Sequence, residues 1–426
     1  MAADPKLFSL EGRKLKLDTA HDLDAHIGPL RAMNDVEEVR IFGNTLGVEA
    51  CKLLGEVLAS KKTLEVANFA DIFTGRLLNE IPDALSHLLT SILNLPNLRT
   101  INLNDNAFGL NTQAPLIDFL ASHVPLQHLY LNNNGLGPHA GINIANALSK
   151  LHAKKEEARK AGNDVPDLET VICGRNRLEN GSMLAWAQTF RLHHKVQEIK
   201  MIQNGIRQEG ISQLLSDGLN HATELKVLDL QDNTFTIKAA RVLAKVVPLW
   251  TNILELGIGD SLLGAKGAVL LADALARGQN KKLEILRLQY NDITAPGLER
   301  LSAAAKDALP ALRRIELNGN KFSEDDSAIV ALRELLDERR ENVTGDIVDE
   351  DAWGVDSLSD LEEMDSDEEE EEEEEEDEQD EQEEETIEAR AEKLIKEAEE
   401  AQEEPTVQIK DKTVDDLATK LEKTSI

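Results

Sequence analysis

The sequence predicts an α/β solenoid, in which units of strand, loop and helix are stacked along one axis. Three observations indicate this class. One leucine-spaced pattern recurs along the chain, successive copies mostly lie 28 to 29 residues apart, and the residues between copies have the apolar spacing of amphipathic helices. Residues 1–340 are also apolar enough, and long enough, to bury a core larger than that of an ordinary single domain.

The recurring pattern is L-x-x-L-x-L-x-x-N-x-L, which is the core of a leucine-rich repeat. A further copy, at residues 64–74, matches only its first half. The nine fuller copies end at Leu46, Phe108, Leu136, Leu178, Ile206, Phe235, Leu263, Ile293 and Phe322.

Each unit should begin with a short strand at L-x-L, whose alternate residues point inward, and continue into a helix such as one predicted over 141–151. Stacking places a parallel sheet on the concave side and helices on the convex side. Because helices are wider than strands, the stack should curve into a crescent. Residues 8–17 resemble a degenerate first strand, which gives about 11 repeats, and residues 332–340 should close the other end.

The asparagine of the pattern is interpreted as structural. Its amide can satisfy backbone groups in the sharp turn after the strand, so that stacked copies form an internal ladder. The predicted ladder consists of Asn44, Asn106, Asn134, Asn176, Asn204, Asn233, Asn291 and Asn320. Cys173 occupies an inward strand position and is expected to be a small core residue.

The repeat is broken at two places. At residues 68–76 the ladder position is Ile72 and the interval to the next copy grows to 34 residues, which predicts a turn that bulges outward and carries Asp71, Phe73, Thr74 and Arg76 to the rim. The second break is a 42-residue interval containing the charged segment 152–166, which is interpreted as a helix and loop that are simply solvated.

The residue before each ladder position should lie at the rim, because one step along this turn exchanges interior for surface. This rim column is Gly43, Asp71, Asp105, Asn133, Arg175, Gln203, Asp232, Asp260, Tyr290 and Gly319. It is mostly polar and could meet a basic partner surface, although ordinary solvated turn residues would look the same.

Charge divides the chain into two parts. The net charge is −34, but residues 341–426 contain 38 acidic and 7 basic residues, whereas residues 1–340 are nearly neutral. We therefore predict a repeat domain at 1–340, an acidic disordered tail at 341–385 with nine consecutive glutamates, and a C-terminal tail at 386–426 that could be partly helical.

Several functional classes are excluded by composition. There is no apolar run long enough to span a membrane and no signal peptide, and a neutral body with an acidic tail opposes nucleic-acid binding. The two cysteines give neither a disulfide framework nor a zinc site. No P-loop, HExxH or nucleophile motif is present, and the pair His193 and His194 lacks spaced partners, which indicates a surface feature. The expected partner is a protein.

The chain resembles the Ran GTPase-activating proteins of the fungal type. The resemblance covers nearly the whole chain and rests on the long repeats, on FTGR at residues 73–76, on LYLNNNGLGP at residues 129–138, and on the acidic tail directly after the repeats. The two motifs in their proper repeats are specific, whereas the leucine pattern alone serves many unrelated binding proteins.

The resemblance implies an activator that binds the GTP form of Ran, alone or with a Ran-binding protein, and that acts without an arginine finger by holding Ran's own glutamine in place. Asn133 would help to fix that arrangement, with Asn132 open to a one-residue slip. Arg76 would support the interface. The remaining candidate contacts are Asp71, Asp105, Arg175 and Asp232.

The resemblance further implies a cytoplasmic monomer with no metal or cofactor of its own, since GTP and magnesium would be bound by Ran. It also suggests that the acidic tail supports Ran binding by steering, in a salt-sensitive way. The alternative is a non-catalytic leucine-rich-repeat scaffold or an inhibitor of another protein, such as a ribonuclease inhibitor, although those inhibitors are dense in cysteine.

Overall fold

A computed structural model describes residues 5–109, 113–343 and 352–362 of the chain. The predicted tail beyond residue 362, including its glutamate run and the C-terminal segment 386–426, lies outside the described residues. The described strands follow one another in chain order: β1 (Leu7–Ser9), β2 (Lys16–Leu17), β3 (Glu38–Arg40), β4 (Thr45–Leu46), β5 (Val66–Asn68), β6 (Thr100–Asn102), β7 (His128–Tyr130), β8 (Thr170–Ile172), β9 (Glu198–Lys200), β10 (Val227–Asp229), β11 (Glu255–Gly257), β12 (Ile285–Arg287), β13 (Arg314–Glu316) and β14 (Gly354–Val355).

Helices follow the strands and pack against the helix of the next unit. They are α1 (Ala20–Asp24), α2 (Gly28–Ala32), α3 (Val48–Leu58), α4 (Ile81–Ile92), α5 (Gln113–Leu120), α6 (Gly137–Lys160), α7 (Glu179–Leu192), α8 (Gln208–Asp217), α9 (Thr236–Val246), α10 (Gly264–Leu275), α11 (Ala295–Asp307) and α12 (Ser327–Glu341), with short 3₁₀ turns at Leu219–His221 and Val247–Leu249.

Parallel pairing joins β1, β3 and β5 to β14 into one sheet in chain order, while β2 and β4 pair separately. The register aligns the central residue of each strand with that of its neighbour, for example Ile101 with Leu129 and Leu129 with Val171. All of these central residues from β1 to β13 are buried. The predicted α/β repeat architecture is therefore confirmed, including a first strand within residues 8–17.

The ladder asparagines form a buried chain of hydrogen bonds. The Nδ2 of Asn134 donates to the carbonyls of Leu131 and Leu103, both at 3.0 Å. Its backbone N–H donates to Oδ1 of Asn176 at 2.9 Å, and its own Oδ1 accepts from the N–H of Asn106 at 2.9 Å. All eight asparagine side chains are buried, so each satisfies backbone groups that would otherwise be orphaned in the core.

The predicted outward bulge at residues 68–76 is wrong for two of its four rim residues, Phe73 and Arg76. Ile72 and Phe73 are buried, and the Phe73 ring lies 6.3 Å from that of Phe108. Thr74 is exposed, but only 9% of the Arg76 side chain is. Apolar burial explains the difference, because the turn without its ladder asparagine gains two large side chains for the core.

Part of the charged insertion and one histidine of the pair, His193, also differ from expectation, whereas His194 is exposed as predicted. Helix α6 continues to Lys160, and Lys155 is buried, with its ammonium donating to the carbonyls of Val124, Leu126 and Pro166 at 2.7 Å each. His193 is not a surface residue, because its Nε2 contacts the carbonyl of Leu148 at 2.9 Å inside the protein. Part of the insertion therefore belongs to the core.

The repeat domain does not end at residue 340. Residues 352–362 return to the last repeat, where β14 pairs with β13 and Leu358 is buried. This segment was predicted to belong to the acidic tail. It is held because the open edge of β13 has backbone groups that need partners.

Candidate functional site

All ten residues of the rim column share one backbone conformation. Each has a positive φ between 47° and 73°, in the left-handed region. Side chains other than glycine rarely adopt this conformation, so eight such residues in equivalent turns are a repeated structural device. The left-handed residue reverses the chain direction, which turns its own side chain outward and the following asparagine inward.

The three consecutive asparagines after β7 occupy three environments. Asn132 is half-buried, and its Oδ1 accepts from the N–H of Gly174 at 2.6 Å. Asn134 is buried in the ladder, whereas Asn133 is exposed. Of the three, Asn133 is the exposed residue, and the choice between Asn132 and Asn133 as a partner contact stays a prediction.

The Asn133 side chain is held at one end. Its Nδ2 donates to Oδ1 of Asp105 at 2.8 Å, which uses one N–H, and among the described residues no other hydrogen bond engages this side chain. The rim column thus brings Asp105 and Asn133 into contact. An open groove continues from Asn133 along the next repeats past Arg175, Gln203 and Asp232.

The groove has a mixed charge. Arg175 and Arg177 are exposed, and no ion pair or hydrogen bond holds either guanidinium within the part of the chain that the structure describes. Burial and the neighbouring Asp260 carboxylate raise the pKa of Asp232, against a hydrogen bond from Gln203 that lowers it. A partner here would meet the two cations and three carboxylates, those of Glu179, Asp232 and Asp260.

Arg76 lies apart from Asn133 in this arrangement and is fully engaged. Its Nη1 pairs with Oδ1 of Asp18 at 2.6 Å, while Nε and Nη2 donate to the hydroxyl and carbonyl of Thr45 at 2.9 and 3.0 Å. The Arg76 hydrogen bond is the main cause that lowers the pKa of Asp18. Arg76 therefore fastens the FTGR turn to the N-terminal cap.

The sequence did not lead us to predict two exposed leucines beside Arg76. Leu77 and Leu78 are each 64% exposed and lie three to four residues before the start of α4. Asp71 accepts a hydrogen bond from the Thr74 hydroxyl, which orders the start of the same turn. Adjacent leucines outside the repeat pattern were the available signal, since neither occupies an inward strand position.

The chain is similar to several known proteins. A model for the Leucine Rich repeat family matches residues 279–302. Ran GTPase-activating protein 1 of Saccharomyces cerevisiae is 39% identical over 343 residues, which cover 79% of this chain and 83% of the yeast protein. The chain belongs to the Ran GTPase-activating protein family.

Two further relatives define the breadth of this similarity. The Ran GTPase-activating protein of Drosophila melanogaster is 32% identical over 323 residues, covering 75% of this chain and 53% of the fly protein. The ribonuclease inhibitor of Sus scrofa is 25% identical over 269 residues, covering 58% of this chain and 57% of the inhibitor. The Ran GTPase-activating protein family thus shares more of this chain at higher identity.

Two kinds of feature are absent from the described part of this family member. None of its helices combines the length and apolar character that crossing a bilayer requires. Among the same residues no cluster of three or more His, Cys, Asp or Glu side chains is arranged to hold a metal ion. Both cysteines are buried, and burial raises the pKa of the Cys51 and Cys173 thiols to about 12.

Proposed function

We propose that the protein is a GTPase activator for Ran, and that hydrolysis takes place in the active site of Ran. The observation that carries the proposal is Asn133, an exposed amide on a left-handed turn that is buttressed by Asp105 in a member of the Ran GTPase-activating protein family. Such an amide is suited to fixing a flexible loop of a partner. The carboxylate in contact with it, Asp105, accepts a hydrogen bond from the amide and so holds it in place.

The mechanism follows from this limited chemistry. Asn133 contacts the switch region of GTP-loaded Ran and holds Ran's glutamine where it orients the attacking water. Preorganisation of this kind lowers the barrier because the bound geometry is already close to the reactive one. Asp105 prevents the Asn133 amide from rotating freely, which reduces the entropy lost on binding.

No arginine finger is required in this account. The three contacts of Arg76 with Asp18 and Thr45 would have to break before its guanidinium could enter a nucleotide site. Arg76 is a positioning residue for the FTGR turn. The free guanidinium groups of Arg175 and Arg177 instead face the groove and contribute to association with the partner.

The proposal also covers the oligomeric state, location and partners of the protein. The protein acts as a monomer in the cytoplasm, in support of transport between nucleus and cytoplasm, and it binds Ran·GTP alone or together with a Ran-binding protein. It requires no cofactor, since GTP and magnesium are held by Ran. Asp71 and Asp232, which lie on either side of Asn133 in the same rim column, add weaker contacts.

The test is a single-turnover assay of GTP hydrolysis on purified Ran, with and without the protein. The expected result is an acceleration of about 10³-fold or more, which is the range for GTPase activators. Unchanged hydrolysis at saturating protein would refute the proposal. If Ran·GTP were bound without acceleration, the protein would be a scaffold, and recovery of a ribonuclease instead would point to an inhibitor.

A further inference from the structure

We propose that a cleft near the carboxyl ends of α6 and α7 binds a small oxyanion that retains a proton, of the hydrogen phosphate type. The cleft has a volume of about 120 Å³, which is room for a small molecule rather than one trapped water. Its lining residues lie near the end of α6 and directly before β8 and β9, whereas the rim column follows the strands. The cleft therefore lies at the opposite edge of the parallel sheet from the rim, and the proposed action on Ran does not use it.

Cations outnumber carboxylates in the lining of this cleft. Lys155, Arg159 and Lys195 stand against Glu156 and Asp167. The Asp167 carboxylate is shared, because its Oδ1 lies 2.6 Å from Nη2 of Arg159 and its Oδ2 lies 3.1 Å from Nζ of Lys195. Oε1 of Glu156 pairs with Nη1 of Arg159 at 2.7 Å. One positive charge is left over even when every histidine is neutral, and this favours an anion in the cleft.

The buried cation of the cleft is Lys155. Its Nζ lies 2.7 Å from three backbone carbonyls, which requires three N–H groups and therefore the ammonium form. Lys61 donates in the same way to the carbonyls of Arg31 and Met33, so the position of Lys155 has a structural explanation. Its charge does not, because both carboxylates of the cleft pair with other cations. Burial, and then Arg159, lowers the pKa of Lys155 to about 7, and an anion beside it would offset that effect.

His193 has an unused acceptor and lines the same cleft. Its ring is buried, and its Nε2 lies 2.9 Å from the carbonyl of Leu148. Because a carbonyl can only accept, Nε2 has the proton and Nδ1 of the neutral ring has a lone pair. Burial in the main lowers the pKa of His193 to about 4, so the ring is neutral at pH 7. Among the described residues no hydrogen bond reaches Nδ1, and a ligand with an O–H group is the donor that this nitrogen lacks.

Two further histidines can donate to an anion. The ring of His152 lies 5.1 Å from that of His193, nearly perpendicular to it, and no hydrogen bond engages His152 within the part of the chain that the structure describes. Burial is the main cause that lowers the pKa of His152, so it offers the single N–H of a neutral ring. His194 is exposed beside the cleft. An anion between these rings would favour the protonated form of each and so add donors.

Hydrogen phosphate meets both requirements of the cleft. It has the negative charge that Lys155 and Lys195 favour, and it keeps a proton on one oxygen that can be donated to Nδ1 of His193. Sulfate is of similar size and charge but has no proton at pH 7. The phosphate group of phosphoserine is mostly without a proton at this pH, since its second pKa is about 6. Comparison of the three anions therefore tests charge and the donor separately.

The experiment is histidine-ring NMR on the full chain at pH 7 and constant ionic strength. Substitution of each histidine by Gln assigns the signals of His152, His193 and His194. We expect inorganic phosphate to shift all three with a midpoint of about 1 mM, which is weak binding. Sulfate and phosphoserine should bind about tenfold more weakly, because Nδ1 of His193 stays without a donor. The signal of His221, an exposed histidine of the following repeat, should not move.

Two substitutions and one matched control locate the anion. Lys195→Gln removes the exposed cation and His152→Gln removes a half-buried ring, and each should weaken phosphate binding about fivefold or more. Lys282→Gln is the control and should leave the affinity unchanged. Lys282, like Lys195, directly precedes a buried apolar residue shortly before a strand, but its Nζ donates to Oδ1 of Asn252 at 2.7 Å. Thermal unfolding verifies the fold of each variant.

Three results would overturn the inference. The three histidine signals could stay unmoved at phosphate concentrations far above the expected midpoint, sulfate could bind as tightly as phosphate, or Lys282→Gln could weaken binding as much as Lys195→Gln does. The expected shifts, with loss of affinity confined to the cleft variants, would support it. Ran is absent from these experiments, so their outcome is independent of the proposed function.

Discussion

The rim column and the asparagine ladder lie one residue apart along the chain and obey different rules. At Asn133 a left-handed backbone turns the amide outward to Asp105 and solvent, and at Asn134 an identical amide is buried against backbone carbonyls. Chemistry does not distinguish the two side chains. The comparison teaches that, in a solenoid, position within the turn determines whether a polar residue stabilises the fold or remains available to a partner.

A substitution in the ladder should give the largest change in stability. Asn134→Ala removes the donors to the carbonyls of Leu131 and Leu103 and the acceptor for the N–H of Asn106. We expect a loss of about 4 kcal/mol in the free energy of unfolding, measured with urea, because buried groups are left unsatisfied. Asn133→Ala is the matched control and should change it by less than about 0.5 kcal/mol. Equal losses would erase the distinction.

Lowering the pH should destabilise the fold through the buried His193. Burial, in the main, lowers the pKa of His193 from 6.5 to about 4, so the folded state resists protonation that the unfolded state accepts. Stability is fully present above pH 6.5 and falls as the pH decreases toward 4, by about 3 kcal/mol from this group. Urea unfolding of the unmodified protein and His193→Gln from pH 7 to 4.5 measures this, and parallel curves would contradict it.

Substitution of Arg76 tests whether the FTGR turn stabilises the fold, as the ladder does, or acts on the partner, as the rim is proposed to do. Arg76→Ala leaves Asp18 and Thr45 without their partner, and we expect a loss of about 1 to 2 kcal/mol in stability. The hydrolysis rate at saturating protein should fall less than about tenfold, since no catalytic group is removed. A loss of about 10³-fold with unchanged stability would instead identify an arginine finger.

The smallest effect should come from the support of Asn133. Asp105→Ala removes the acceptor for its Nδ2, and freer rotation of the amide should lower hydrolysis within the complex about threefold. Asp260→Ala, at the equivalent position five repeats later, is the control and should leave this rate unchanged. If both substitutions had the same effect, general rim charge rather than support of Asn133 would be responsible.

Local repetition explains how much could be predicted. The spacing of leucines and asparagines specified the strand register, the ladder and the inward position of Cys173, because every repeat must satisfy the same buried backbone groups. The environments of Phe73, Arg76 and His193 depend instead on neighbours some 30 to 45 residues away, such as Thr45 and Leu148. No local pattern records such contacts.

The predicted end of the repeat domain was wrong for a related reason. Composition marked residue 341 as the start of an acidic segment, yet residues 352–362 contain Trp353, Val355 and Leu358 among their carboxylates, and two of their aspartates serve as hydrogen-bond acceptors. Net charge averages over such a segment, whereas pairing with β13 depends on individual residues. Among the candidate contacts, the sequence placed Asn133 at the surface but gave no indication of its bond to Asp105.

The central claim is that Asn133 acts on the partner while Asn134 maintains the fold, and one measurement tests it most directly. Single-turnover GTP hydrolysis on Ran, at saturating concentrations of the unmodified protein and of Asn133→Ala, isolates the step within the complex. We predict that the substitution lowers this rate about 100-fold while the thermal unfolding midpoint is unchanged. An unchanged rate in a folded, Ran-bound Asn133→Ala variant would contradict the account.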